Sequence, residues 1–255
     1  VIVHIAALLI AQTSNVPSSG TVLATPQPAV TMAPDYAVHP PAQDVREGKQ
    51  LFSVHCSSCH GTNLEGSAQA PPLINVDVAD VDFQLSTGRM PAERPFEQEF
   101  QRRPFFPPRQ IRALIAYIMT RSSGDKRLPT PQLPGDVERG RRVFEENCQQ
   151  CHAATGHGDN VGYRNVAPQL MDASPMQIAE AVRTGPDVMP RFGPKIIDDA
   201  ALGDVISYVN YLQHGKYNPG GLQLANLGPV PEGFIAWVVG IGLLVLFVRR
   251  IGTTE

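Results

Sequence analysis

Outside two five-residue stretches this sequence of 255 residues has no cysteine. Any disulfide, metal or redox chemistry of thiols is therefore confined to those two places. Charge of one sign is also missing: 21 Lys and Arg against 24 Asp and Glu leave a formal charge of -3 at neutral pH. Nothing there points to a nucleic-acid partner. Aromatic residues make up only 7 % of the chain, with a single Trp, so its cores are small. Long apolar runs are absent except at the two ends. What is abundant is turn-forming residues, 24 Pro and 22 Gly, within a chain that is 42 % apolar. Such a chain is globular or membrane-attached, with much of its length in loops.

The four cysteines read Cys56-Ser-Ser-Cys59-His60 and Cys148-Gln-Gln-Cys151-His152. Disulfides would suit an oxidising compartment but leave each histidine unexplained. A redox dithiol needs no trailing histidine. A zinc site could be completed only if both clusters packed on one ion. The C-x-x-C-H pattern reads more directly as covalent haem attachment. In that chemistry two thiols form thioethers to the haem vinyl groups, and the histidine supplies one axial iron ligand.

The flanks repeat too. VREGKQLFSVHCSSCHG (45–61) aligns without a gap on VERGRRVFEENCQQCHA (137–153). Gly48 and Phe52 lie four residues apart, on one helix face, as do Gly140 and Phe144. A glycine so placed lets another helix approach closely. Further on, APPL (70–73) is echoed by APQL (167–170), and TGRMP (87–91) by TGPDVMP (184–190). Each copy passes through a Gly- and Pro-rich loop region and closes on a helix. The stripes are Ile111, Leu114, Ile115 and Ile118 beside Tyr117, then Leu202, Val205, Ile206 and Val209 beside Tyr208. Pro107 and Pro108 suit the start of the first closing helix. A unit of about 80 residues buries only a modest core, which a large apolar cofactor would supplement.

A histidine on one side of an iron leaves the opposite position open. The soft methionine thioether suits an electron-transfer haem and raises its potential relative to a second histidine. Met90 and Met189 each follow a Thr-Gly and precede a proline, and they are the candidates. Met119 belongs to the closing helix, Met32 precedes both motifs, and Met171 and Met176 lack the parallel. His55 and His157 lie too near their motifs, and His214 follows the second closing helix. Arg89, Tyr163, Arg164 and Asn165 are polar loop residues that could pair with haem propionates or stand in solvent.

At the C-terminus, FIAWVVGIGLLVLFV (234–248) precedes Arg249 and Arg250. Extended back to Leu227 it is long enough to cross a bilayer, and the two arginines favour a cytoplasmic end. At the other end VIVHIAALLIA (1–11) is too short to span alone and reads as the tail of a first span or a signal segment, with a tether over 25–44.

The repeats resemble class I cytochrome c domains. The tandem pair with its C-terminal anchor resembles the dihaem cytochrome c subunit of the actinobacterial cytochrome bc complex, a menaquinol–cytochrome c reductase. The likeness runs from 45 to 250. It implies an all-α fold: an N-terminal membrane segment (1–24), cytochrome c domains at 45–120 and 137–215, linkers at 121–136 and 216–226, and a transmembrane helix at 227–250. It also implies two covalently bound haem c groups. Cys56, Cys59, His60 and Met90 would hold the first, and Cys148, Cys151, His152 and Met189 the second. The implied partners are a cytochrome b subunit, a Rieske iron–sulfur subunit, an aa3-type oxidase and membrane lipid, with the haem domains on the outer, periplasmic side. Three alternatives share the haem repeats: a dihaem subunit of a cbb3-type oxidase, the cytochrome of a periplasmic dehydrogenase, and a dihaem peroxidase. The peroxidase needs one iron open to substrate, which paired methionines oppose.

Overall fold

A computed structural model describes residues 36–94, 98–214 and 229–252. The expected N-terminal membrane segment, the tether as far as residue 35, Met32 and the linker at 216–226 lie outside the described residues. Four helices build the first unit: α1 (Ala42–His55), α2 (Ser57–His60), α3 (Val78–Ser86) and α4 (Pro108–Arg121). The second repeats them as α5 (Val137–Asn147), α6 (Gln149–His152), α7 (Pro175–Thr184) and α8 (Asp199–His214). It inserts one antiparallel hairpin, β1 (Asp159–Gly162) and β2 (Asn165–Ala167). Among the described residues the fold is all-α apart from this hairpin.

Each unit is organised by the crossing of its first and last long helices, α1 on α4 and α5 on α8. At the crossing the backbones nearly touch. A Cβ added at Gly48 would overlap the Ala113 carbonyl oxygen and lie 2.9 Å from Tyr117 Cβ. At Gly140 it would overlap the Asp204 carbonyl oxygen and lie 2.9 Å from Tyr208 Cβ. One turn on, Phe52 meets Tyr117 at 5.4 Å between ring centroids, and Phe144 meets Tyr208 at 5.3 Å, both tilted. The closing stripes are buried throughout: Ile111, Leu114, Ile115 and Ile118 in one core, Leu202, Val205, Ile206 and Val209 in the other. Each such side chain removed from water contributes about 1.5–3 kcal/mol. Met119 is fully buried in the first core. Pro107 caps α4 and Pro108 opens it.

The middle helices α3 and α7 depart from the sequence reading, which has only loop there. On α3, Val78, Val81 and Leu85 point into the first core. On α7, Ile178 and Val182 point into the second. Ser174 starts α7 through a reciprocal capping box with Gln177, and Pro175 occupies the first turn. After each middle helix the echoed glycine turns the chain in the left-handed region, Gly88 at φ 70° and Gly185 at φ 65°. That turn ends the helix and sends the following methionine back toward the unit's interior.

The segment joining the units is tied down at both ends. Ser123 N donates to Ile74 O (2.8 Å), Ser122 Oγ to Val76 O (2.6 Å), and Val78 N to Asp125 O (2.8 Å). On the other side Gly135 N donates to Ser207 Oγ (2.8 Å) and Asp136 N to Asp204 Oδ1 (2.6 Å). Asp204 also receives Arg139, whose hydrogen bonds hold its carboxyl below the usual range. The two units then meet through α3 and α7.

Past the second unit runs α9 (Pro229–Ile251), of which Gly233–Ile251 has a mean hydropathy of 2.1 over 19 residues. Its apolar side chains, from Phe234 and Trp237 to Leu246 and Phe247, are exposed on all sides. At helical rise the stretch covers about 28 Å, the thickness of bilayer hydrocarbon. An apolar helix uncovered by protein is solvated by lipid, so the chain is membrane-associated.

Candidate functional site

The first cavity is built where α1 stops. Cys56 N bonds Phe52 O (2.9 Å), and the chain re-enters a single helical turn in which His60 N bonds Cys56 O (2.9 Å). That turn sets Cys56, Cys59 and His60 on one wall. The following loop folds back on them through Gly66 N to His60 O (2.8 Å) and Ser67 Oγ to Cys59 O (2.6 Å). Met90 and Pro91 come from beyond α3 to line the same cavity, whose volume is about 740 Å³.

The second cavity follows the same plan. Cys148 N bonds Phe144 O (2.8 Å), His152 N bonds Cys148 O (2.9 Å), and Gly158 N returns to His152 O (3.0 Å). Cys148, Cys151, His152 and Met189 line a space of about 340 Å³ together with Leu170, Ile178 and Phe192. Both volumes fall in the range of small-molecule and cofactor sites.

Each histidine is held by a proline carbonyl. His60 Nδ1 lies 2.9 Å from Pro71 O, and His152 Nδ1 lies 3.0 Å from Pro168 O. A carbonyl can only accept, so each Nδ1 carries the proton and each Nε2 keeps a free lone pair. Burial lowers the pKa of His152, which favours that neutral ring. The echoed APPL and APQL segments thus supply the groups that set the histidine tautomer. Burial also pushes the Cys56 thiol up to about 11 and Cys148 to about 12. Among the described residues no group of three or more His, Cys, Asp and Glu side chains comes together as a metal cluster. The two clusters therefore do not share an ion.

The rival ligands sort clearly. Met119, Met171 and Met176 line neither cavity. His157 turns to Thr155 O and His214 to Asn210 O. His55 does reach the rim of the first cavity, where it meets Phe105 and Phe106 edge-on at 5.5 and 5.2 Å. Of the polar loop residues, Tyr163 is fully exposed at the hairpin tip, and Arg164 and Asn165 line neither cavity. The two-residue turn between β1 and β2 holds Tyr163 and Arg164 at positive φ, away from the site.

Sequence reasoning singled out Arg89 but missed the seam that places it at the second cavity. Phe83, Arg89 and Phe100 of the first unit help wall the second cavity, and Asp187 of the second unit lines both. Gln98 binds Val166 twice, donating to its carbonyl and accepting from its N–H, both at 2.9 Å. Arg191 pairs with Asp77. Asp82 and Glu180 are buried between the units. Burial pushes both carboxyls up, Asp82 to about 6 and Glu180 well above the usual carboxylate range, where the Asp82 charge adds to it.

Paired thiols, an imidazole with Nε2 free and a thioether share each cavity, and this donor set fits a c-type haem. Residues 45–122 match the family Cytochrome c, and residues 135–209 match the family Cytochrome C oxidase, cbb3-type, subunit III. The class is settled: this is a c-type cytochrome with a haem c-binding domain. The "Cytochrome bc1 complex cytochrome c subunit" of Mycobacterium tuberculosis is 39 % identical over 226 residues, 85 % of this chain and 79 % of that one. Its namesake in Corynebacterium diphtheriae is 34 % identical over 87 % of this chain and 86 % of its own. The "Cbb3-type cytochrome c oxidase subunit FixP" of Sinorhizobium medicae is 25 % identical over 68 % and 62 %. The chain belongs to the family of cytochrome c subunits of the cytochrome bc1 complex. It acts as an electron-transfer cytochrome c subunit within a respiratory bc-type quinol–cytochrome c reductase.

Proposed function

We propose that this chain holds two covalent haem c groups, one per unit, and relays electrons from a cytochrome b and Rieske iron–sulfur assembly toward a terminal oxidase of the aa3 type. The observation that carries the reading is the doubled constellation. In each unit a proline carbonyl fixes the histidine tautomer, leaving Nε2 for iron, while the Thr-Gly turn brings a methionine to the same cavity. Cys56 and Cys59 would anchor one group, with His60 offering its Nε2 and Met90 its thioether to the iron. Cys148, Cys151, His152 and Met189 would serve the other. Bound there, the haems supply reversible one-electron chemistry at iron.

The rest belongs to the chain. Its apolar walls exclude water, its helix crossings fix the walls, and α9 keeps both units at a membrane. Arg249 and Arg250 would hold the end of α9 in the cytoplasm, setting residues 45–120 and 137–215 on the outer face. Methionine candidates in both cavities speak against a peroxidase, which needs one open iron.

The test is purification of the intact complex in mild detergent. The chain should exceed its polypeptide mass by two haems after extraction, and cytochrome b and Rieske subunits should copurify. A bare polypeptide mass overturns the haem reading. Copurification with a cbb3-type catalytic subunit instead overturns the assignment of partners.

A further inference from the structure

Arg89 is 6 % exposed, and its Nε and Nη1 are buried without a hydrogen-bond partner among the described residues. Its guanidinium carbon lies 4.7 Å from the centroid of the Phe83 ring. That contact orients the cation but satisfies none of its N–H groups. Asp187 attracts it electrostatically without giving either nitrogen a hydrogen bond. A buried guanidinium with idle donors is costly unless an anion completes it. The position of the side chain is the informative part. Arg89 belongs to the first unit but lines the second unit's cavity, with Cys148, His152 and Met189. The next residue, Met90, lines the first.

We propose that Arg89 clamps a carboxylate of the group held in the second unit's cavity, so that the first unit supplies the counter-charge for the second. This rests on the haem reading above, since a haem carries two propionate carboxylates. The planar donors of a guanidinium match a carboxylate in a way that a point charge does not. A cation fixed there also favours the reduced, less positive iron and raises that centre's potential. Consecutive residues, 89 and 90, thus serve different centres.

The experiment is a spectroelectrochemical titration of the full chain in its complex, comparing the native protein with Arg89→Gln and Arg89→Lys. Intact mass of each preparation establishes that both haems are attached. The step belonging to the second unit is identified as the one displaced by Met189→His. Arg89→Gln should lower the second unit's potential, shifting electron sharing between the centres roughly tenfold toward the first. The first unit's step should stay in place, and Arg89→Lys should recover part of the shift. An unmoved second step, or movement of the first step alone, overturns the proposal. So does an equal shift in the Gln and Lys variants, which a merely structural role would produce. A native mass without haems defeats the underlying reading instead, and the two failures are told apart by mass alone.

Discussion

The first unit walls its cavity almost wholly with residues between His55 and Glu99, and leaves it about 740 Å³ in volume. The second borrows Phe83, Arg89, Phe100 and their neighbours from the first, and is left with about 340 Å³. The helix crossings and the proline-held histidines, by contrast, are nearly superimposable in kind. The two copies therefore share the placement of thiols, histidine and methionine but not what surrounds them, and the second cavity is completed by residues of the first copy.

The sharpest way to break the likeness is at the crossings. Gly48→Ala and Gly140→Ala should each cost more than about 3 kcal/mol, because the added methyl meets a helix carbonyl rather than a movable side chain. Chemical denaturation followed by circular dichroism would measure both. A tolerated Gly140→Ala would mean that the second crossing is held by something other than the contact it shares with the first.

That contact was legible in the sequence, since Gly48 with Phe52 and Gly140 with Phe144 repeat at helical spacing in register with the haem motifs. So were the closing stripes and the arrival of Met90 and Met189 at the two cavities. The middle helices were not. VADVDFQLS (78–86) is short, and its apolar residues alternate nearly as well as they recur at helical spacing, so periodicity could not separate helix from strand. The Ser174–Gln177 capping box was a usable signal for α7. The seam was beyond reach for a different reason. Nothing in the chain order says that Arg89 ends beside Cys148, because contacts between units depend on how two finished surfaces dock.

The seam offers the next test. Asp82 and Glu180 have carboxyls raised by burial, so their contribution is full below the ordinary carboxylate range. It is lost as pH rises through about 6 and beyond. Glu180→Gln keeps a donor for Asp82 but cannot ionise. It should remove most of that slope, worth about 1–2 kcal/mol between pH 5 and 8. Calorimetry across that range would show it. Asp204 runs the other way, because Arg139 holds its carboxyl low and its contribution fades only as pH falls. A slope unchanged in Glu180→Gln would mean that the pair stays solvated and the units dock without it.

The smallest effect is expected at the feature that most visibly distinguishes the second unit. Tyr163→Ala at the hairpin tip should change thermal stability by less than about 0.5 kcal/mol, since the side chain is fully exposed. A larger loss would show that the hairpin supports the second cavity through its tip, and not only through Val166 on Gln98.

The tied segment between the units sets a leash length. Asp125 is anchored to Asp77, and Gln132 N reaches Asp199 O at 3.4 Å. Only residues 126–131 lie between those anchors, which can separate by at most about 25 Å when the chain is drawn out. If the seam opens while its anchors hold, the two units stay within a few molecular radii. Each then meets the other at an effective concentration in the millimolar range or above. A contact too modest to join separate proteins is enough here, and reclosing needs no diffusional search.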